Sequence, residues 1–386
     1  MNKWNINTKY ILQLFLFISI NAMFILKYAP RYSLNPYLIL TGYCIAIYAL
    51  LYLYKKYNAL GSEKLFRFFY WIFIILVITG ITGLLIMINP YSIRVDRWSA
   101  LTFFWDSVFK GQYPYGTHTH ISSTNFASPF PLWHLISLPF YLLKDVGIEL
   151  IFFLLILALT LKRYFISYRK SLFFLLLLCS SPCYWWEISA RSDSLSNGLL
   201  VFILILWYHK NNYSLSNNFY LTILLCGSIA ATRMTAIIPL ALFFLQPYLQ
   251  LSVRQKIMFP LMVLIIATFY FLPFIFWDTK TWIFFSRNPF MSQTANGNIY
   301  VLIFMLIIGI ILAIRWKKIT DYFGFTAIFI TIFILLAQLV RIYNAGEGTL
   351  FSDAISDISY FNLALPYCIY FLTSELNLTK TVNKIN

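Results

Sequence analysis

The residues best suited to chemistry lie in one polar stretch, residues 89–131, of an otherwise apolar chain. This stretch contains Asp96 and Asp106, which stand ten positions apart. A carboxylate at a boundary between water and lipid can act as a general base toward a hydroxyl group. In a helix, which turns about 100° per residue, the two carboxylates would lie about 80° apart. The spacing therefore predicts two acids near one face, and Asp96 is the one that follows an apolar run closely.

Apolar side chains near these aspartates indicate how the acids are held. Trp98, Leu101, Phe104, Trp105 and Val108 would form one side of a helix. A helix with such a side is typical of a membrane interface. On this interpretation both aspartates face water, and simple solvation of the two acids is the alternative to a catalytic role.

Two histidines, His118 and His120, follow in the sequence THTH. This spacing is compatible with metal ligands, but a zinc site requires at least three protein ligands that converge. A third ligand does not stand at a recognisable spacing. The sequence therefore predicts no metal-binding residues.

The composition identifies the scaffold that carries this stretch. Hydrophobic residues make up 60% of the 386 residues and charged residues 11%, whereas soluble domains contain about 25% charged residues. The chain is therefore predicted to be an all-α, polytopic membrane protein. Its net charge of +16 lies in short links between apolar runs, a pattern typical of membrane topology, so no nucleic-acid partner is predicted.

Twelve apolar runs are predicted to cross the membrane, because a span needs about 20 residues, or fewer with snorkelling ends. They are residues 10–27, 36–54, 68–88, 147–161, 171–189, 195–208, 219–232, 234–249, 257–276, 300–314, 322–340 and 358–373. A further apolar run, residues 129–143, is short and contains three prolines. It is predicted to be an interfacial helix that lies along or dips into the outer face.

The basic residues predict the orientation of these spans. With residues 129–143 left out of the spans, 18 of the 29 basic residues fall on one side, which the positive-inside rule assigns to the cytoplasm. The chain is therefore expected to be a multi-pass protein of the cell membrane with both termini in the cytoplasm. Ten of the thirteen acidic residues fall on the opposite, extracytoplasmic side. The positive-inside rule does not explain that concentration, which indicates an active site outside.

The chain is predicted to be a single integral-membrane domain, residues 1–386. Two N-terminal helices (1–67) precede a catalytic core (68–249), which contains a large external loop (89–146). The C-terminal helices occupy residues 250–386.

Arg233 interrupts an apolar stretch of this core. A charge at membrane depth costs about 3 kcal/mol on insertion scales unless it lines a cavity or has a partner. The sequence therefore predicts that Arg233 lines a cleft, and an arginine that snorkels at a helix end is the alternative.

Several short motifs occur in order along residues 68–249. Asp96 and its aromatic helix are followed by GQYPY (111–115), SPFPL (128–132) and a second proline, then by a segment that ends in ARSD (190–193), and by ATRMT (231–235). In this order, and on one predicted face of the membrane, they resemble the GT-C superfamily of integral-membrane glycosyltransferases. The resemblance is closest to bacterial mannosyltransferases that depend on polyprenyl phosphate, and more distant to glycosylphosphatidylinositol mannosyltransferases.

The resemblance implies a GT-C-like fold and transfer of a hexose such as mannose from a polyprenyl-phosphate donor to an extracytoplasmic acceptor. Asp96 would be the general base of an inverting reaction, and Asp106 is the second catalytic candidate. Arg233 would stabilise the departing lipid phosphate. The other predicted substrate-binding residues are Arg191, Asp193, Tyr113, Tyr115, Lys280 and Arg287. The acceptor, whether glycan, lipid or protein, stays open.

Asp96 lacks the adjacent second acid that many members of this superfamily have. This departure argues against a two-carboxylate metal site, and the sequence names no certain cofactor and leaves a divalent cation open. Two other functions stay open as well. A polysaccharide polymerase or ligase would use the same kind of lipid donor, whereas a transporter or flippase of a lipid-linked glycan would place charges near mid-membrane in several spans.

Overall fold

The computed structural model describes residues 4–57, 62–283, 288–294, 297–346, 348–352 and 355–376. Across these ranges the chain is helical, and its only β-type pairing is an isolated antiparallel bridge between His118 and Phe126. The all-α prediction is therefore confirmed for this part of the chain.

The α-helices, numbered in chain order, are α1 (Trp4–Tyr28), α2 (Pro36–Tyr57), α3 (Glu63–Met87), α4 (Arg97–Phe109), α5 (Pro131–Leu142), α6 (Ile148–Phe165), α7 (Tyr168–Cys179), α8 (Pro182–Ser189), α9 (Asp193–Lys210), α10 (Phe219–Ala230), α11 (Ile237–Leu249), α12 (Val253–Trp277), α13 (Thr279–Ile283), α14 (Pro289–Thr294), α15 (Ile299–Arg315), α16 (Ile319–Ala345) and α17 (Leu365–Glu375).

Five of these helices, α1, α2, α3, α12 and α16, are long and apolar enough to cross a membrane. Helices α7 and α8 meet at a bend of 69° and add a sixth crossing if the pair is one broken span. The bend falls where Pro182 begins α8, because proline cannot continue the hydrogen-bonding pattern of α7. Helices α10, α11 and α15 are apolar but shorter. The chain thus has the helices of a membrane protein, and the count of twelve spans stays a prediction.

The chain packs as two compact units made of interleaved segments. Unit 1 comprises Met1–Gly80, Leu155–Glu187 and Tyr300–Asn386, and unit 2 comprises Ile81–Leu154 and Ile188–Ile299. The predicted division at residues 67 and 249 does not coincide with these bounds. In unit 1, α17 packs against α1, α7 and α16.

Unit 2 contains every predicted site residue that the structure describes: Asp96, Asp106, Tyr113, Tyr115, Arg191, Asp193, Arg233 and Lys280. Helix α4 packs against α5 and α9, and α10 packs against α12. The apolar side of α4 is covered by protein, since Leu101, Phe104 and Trp105 are buried. Phe104 lies in an aromatic cluster that includes Phe130 and Phe271.

The predicted interfacial segment 129–143 contains a helix, α5, which begins at Pro131 and ends at Leu142. Proline suits the first position of a helix, where a backbone N–H has no acceptor within the helix. At 12 residues, α5 would be about 18 Å long and too short to cross the hydrocarbon core. Its placement at the membrane face stays a prediction.

Candidate active site

An arginine and an aspartate form the centre of the site. Arg233 stands in extended conformation between α10 and a short 3-10 turn, Met234–Ala236. Its Nε donates to Asp193 Oδ2 at 2.9 Å, and its Nη2 donates to the same oxygen. Arg233 is only 3% exposed, so it is paired inside the protein and does not snorkel toward solvent. Its Nη1 group donates no hydrogen bond within the part of the chain that the structure describes.

Asp193 is held by the start of a helix. It is the first residue of α9, where the helix dipole stabilises a negative charge. The hydroxyl of Ser192 accepts a hydrogen bond from the backbone N–H of Leu195 and caps this end. Asp193 is fully buried, and Arg233 supplies charge-assisted hydrogen bonds to Oδ2, whereas Oδ1 accepts no hydrogen bond from the described part of the chain.

A second arginine reaches the same carboxylate, and the sequence analysis missed it. Arg97 Nη1 lies 4.0 Å from Asp193 Oδ1, and Arg97 is 5% exposed. A signal was present, because positions 97, 101 and 104 share one face of a helix. Because Leu101 and Phe104 are apolar, that face is predicted to be buried, and Arg97 is then predicted to point inward with them. Its position directly after Asp96 brings the predicted base and the arginines to one end of α4.

Backbone hydrogen bonds join the motif SPFPL (128–132) to the motif ATRMT (231–235). Phe130 N donates to Thr232 O at 2.9 Å, and Leu132 N donates to Ala231 O at 3.1 Å. The break after α10 frees carbonyl groups that a continuous helix would have satisfied, and SPFPL supplies the missing donors. The Gln293 side chain adds to this link, because it accepts from Met234 N at 2.8 Å and donates to a backbone carbonyl of SPFPL. The conformation at Arg233 is therefore fixed from both sides.

Asp96 precedes α4 and is half-buried. Its Oδ2 accepts a hydrogen bond from Asn125 Nδ2 at 3.4 Å. Asn125 belongs to a short turn that also pairs Thr119 N with Asn125 O at 2.9 Å. This contact ties the carboxylate of the predicted base to the turn.

Asp106 lies three turns further along α4 and makes a different contact. Its Oδ1 accepts a hydrogen bond from the Tyr141 hydroxyl at 2.7 Å. This bond, which only the neutral phenol can donate, raises the pKa of Tyr141 to about 12. The contact joins α4 to α5, so Asp106 has a structural partner, and its catalytic role stays a prediction.

The guanidinium of Arg191 is bonded to other groups of unit 2. Its Nε lies 3.0 Å from both carboxylate oxygens of Asp145, and its Nη groups donate to Leu85 O and Ile88 O at the end of α3. It is 3% exposed and adopts a left-handed backbone conformation with φ of 50°. A Cβ atom at Gly147 would lie 2.8 Å from Arg191 Cγ, so the glycine leaves room for the aliphatic part of the Arg191 side chain. The predicted contact of Arg191 with phosphate stays a prediction.

The remaining predicted substrate-binding residues differ in how far they are buried. Tyr115 is completely buried and donates to Pro129 O at 3.2 Å, and burial raises its pKa well above the ordinary value. Tyr113 is half-buried beside it, and burial likewise raises its pKa. Lys280 is exposed in α13, whereas Arg287 lies outside the described residues. The contacts with sugar or phosphate predicted for these residues stay predictions.

The histidines are engaged with neighbouring groups. His120 Nδ1 lies 2.6 Å from Ser99 Oγ and its Nε2 lies 3.2 Å from Ile93 O, and His118 packs against Phe126. In the described part of the chain no three His, Cys, Asp or Glu side chains are grouped as metal ligands. The question of a divalent cation near Asp96 stays as the sequence leaves it, open.

Comparisons with models of protein families, with curated proteins and with solved structures find no match to this chain. The described part of the chain thus combines helices that are long and apolar enough to cross a membrane with a buried charged cluster of Arg97, Asp193 and Arg233, and Arg97 directly follows Asp96 in the chain.

Proposed function

We propose that this protein is a membrane glycosyltransferase with a GT-C-like fold and twelve spans, which uses a polyprenyl-phosphate sugar as donor. One observation carries the proposal. Arg97, the residue after Asp96, reaches the Asp193–Arg233 pair, so a candidate base and two arginines meet at the start of α4. Glycosyl transfer from a lipid phosphate requires a base for the acceptor and cationic groups for the departing phosphate.

In the proposed reaction the acceptor hydroxyl oxygen attacks the anomeric carbon of the donor sugar, and the Asp96 carboxylate takes its proton. The bond between the anomeric carbon and the phosphate oxygen breaks on the opposite face, so the configuration inverts. The electron pair stays on the lipid phosphate, where negative charge develops. The Nη1 group of Arg233 is the donor best placed to stabilise that charge, because Nε and Nη2 already bind Asp193.

Contacts within unit 1 support the predicted membrane topology. Lys9 Nζ lies 2.8 Å from Asp321 Oδ1, and both residues were predicted to be cytoplasmic. Ser167 Oγ donates to Glu63 Oε1 at 2.9 Å, again between two links predicted on the cytoplasmic side. Each pair joins two links that are distant in sequence and that share one predicted side of the membrane, which supports the proposed topology.

A polysaccharide polymerase or ligase is the second candidate, and Arg97 is the observation that favours it. Enzymes of that kind bind the diphosphate of a lipid-linked glycan, and a second arginine suits a second phosphate. The two candidates differ in the donor that they consume.

The test is a comparison of donors. Purified protein is incubated with polyprenyl-phosphate sugars and, separately, with polyprenyl-diphosphate oligosaccharides, together with an extract of cell-envelope glycans as acceptor. We expect lipid phosphate to be released from the monophosphate donor. Release of lipid diphosphate alone would identify the polymerase or ligase, and release of neither would end the proposal.

A further inference from the structure

We propose that Tyr91, Trp98 and His120 form the acceptor subsite and that the acceptor is a carbohydrate. This inference rests on the proposed function and specifies the acceptor that it leaves open. The three rings are called the aromatic corner below. All three lie in unit 2, on the segment that carries Asp96.

The rings of the aromatic corner meet edge to face. The centroids of Tyr91 and Trp98 lie 4.9 Å apart with an angle of 68° between the ring planes. His120 lies 5.7 Å from Tyr91 and 6.3 Å from Trp98, at angles of 78° and 73°. The three rings thus stand at steep angles to one another; Trp98 and His120 are half-buried, and Tyr91 is 58% exposed, so the aromatic corner can be reached from solvent.

Local structure fixes the positions from which the three rings project. Asn89 accepts from the backbone N–H of Tyr91 at 3.0 Å and caps the short turn that presents Tyr91. Trp98 is in the first turn of α4. Both nitrogens of the His120 ring lie against oxygens of Ser99 and Ile93. A surface that is ordered before binding loses little conformational entropy when a ligand binds.

The chemistry of the corner favours a sugar over a lipid chain. The C–H groups on one face of a pyranose ring carry a slight positive charge and stack on the negative face of an aromatic ring. Sugar hydroxyls also need hydrogen-bonding partners, and Asp96, two residues before Trp98 in the chain, carries a carboxylate that is bonded to the Asn125 amide. The exposed surface of α12 differs, since Leu261, Leu264 and Ile265 present aliphatic side chains there.

The position of the corner favours the acceptor over the donor sugar. Trp98 is two residues from Asp96, the proposed base, which must contact the acceptor hydroxyl. Trp98 also follows Arg97, whose side chain turns inward to Asp193. The phosphate of the donor therefore belongs on the inner side of this turn of α4, and the exposed corner belongs to the other substrate.

Binding without any donor tests the inference separately from transfer. Neutral methyl glycosides and short oligosaccharides are added to the full-length protein in detergent, and binding is measured by saturation-transfer NMR. We expect at least one of them to bind, and we expect Trp98→Ala and Tyr91→Ala to weaken that binding by about tenfold. Trp98→Phe keeps an aromatic ring and should therefore lose less affinity for the sugar than Trp98→Ala does. Because Tyr91 is exposed, Tyr91→Ala is expected to leave the fold intact. The matched control is Tyr343→Ala, which removes an 85% exposed tyrosine of α16.

The outcomes are distinct. If sugars bind but no lipid phosphate is ever released, the acceptor subsite stands and the proposed donor is wrong. If no sugar binds, or if Trp98→Ala and Tyr91→Ala bind as the unchanged protein does, the inference is overturned. Quenching of Trp98 fluorescence by brominated lipids, seen as a difference from Trp98→Phe, would show a membrane anchor instead and would also overturn it.

Discussion

Arg233 donates two hydrogen bonds to a single oxygen of Asp193, although the two residues are 40 positions apart in the chain. Both side chains are almost completely buried. A buried ion pair is weak evidence for a contribution to stability, because desolvation of two charges offsets much of their attraction. The proximity of Asp96 and Arg97 makes a functional reason for this pair the stronger explanation.

A mutant cycle on Asp193 and Arg233 separates stability from function. Asp193→Asn leaves a buried guanidinium without its carboxylate, and we expect it to destabilise the protein by about 3 kcal/mol. Arg233→Gln should have a similar effect. The double variant removes both charges and should recover part of the lost thermal stability in detergent while transfer stays abolished. Recovery of transfer along with stability would show that the pair only holds the fold.

Arg97 is expected to act on the donor. Arg97→Gln should lower kcat/KM for the lipid-phosphate donor by about tenfold or more, because a charge-assisted hydrogen bond contributes about 1.5–3 kcal/mol. Lys110→Gln removes an exposed cation just after the opposite end of α4 and serves as the control. Equal donor kinetics in the Arg97 and Lys110 variants would contradict the assignment of Arg97 to the phosphate site.

The hydrogen bond between Tyr141 and Asp106 should contribute to stability. Tyr141→Phe removes the donor, and we expect a loss of about 1 kcal/mol, since Tyr141 is only partly buried. Asp106→Asn keeps an acceptor oxygen and should melt close to the unchanged protein. An unaltered melting temperature in Tyr141→Phe would refute the structural role. Loss of transfer in a stable Asp106→Asn would assign to Asp106 the catalytic role predicted from the sequence.

His134 should make the protein sensitive to acid. It is completely buried and stacks on Phe104 with ring centroids 3.5 Å apart, and burial lowers its pKa well below the ordinary value of 6.5. The unfolded chain therefore binds a proton more readily than the folded protein does. The neutral, buried His134 therefore contributes its full share to the free energy of unfolding above about pH 6.5. This contribution is lost as the pH falls toward the pKa of His134 in the folded protein.

The variant His134→Phe keeps a ring against Phe104 and cannot be protonated. We expect the melting temperature of this variant to fall less between pH 7.5 and pH 5.5 than that of the unchanged protein. His118→Gln, at an exposed histidine, should leave the acid sensitivity unchanged. If the melting temperatures of His134→Phe and of the unchanged protein fall by the same amount between pH 7.5 and pH 5.5, His134 is not the source of the acid sensitivity.

Much of the fold could be predicted because membrane helices follow simple rules. The helical nature of the chain follows from long apolar runs, since a lipid environment requires every backbone group to be satisfied within the helix. The helices at residues 97–109 and 131–142 were also visible, from aromatic periodicity and from a proline at a helix start. Predicted spans at 219–232 and 234–249 correspond to the apolar helices α10 and α11.

The pairing of charges could not be predicted, because it depends on contacts between distant segments. The sequence marked Arg233 as needing a partner, but it contains no local signal that names Asp193. Arg191 shows the opposite case. It was predicted to assist with phosphate, whereas its donors bind Asp145 and the carbonyls of Leu85 and Ile88. Both outcomes are set by tertiary packing, which spacing along the chain does not encode.

The central claim is that Asp96 removes the acceptor proton in a sugar transfer from a lipid phosphate. Its most direct test is the initial rate at which lipid phosphate is released from a polyprenyl-phosphate sugar by the unchanged protein and by Asp96→Asn. We expect Asp96→Asn to be at least about 100-fold slower at an unchanged melting temperature, since general-base catalysis contributes about 10² to 10⁴ in rate. Equal rates in the two proteins would contradict the account.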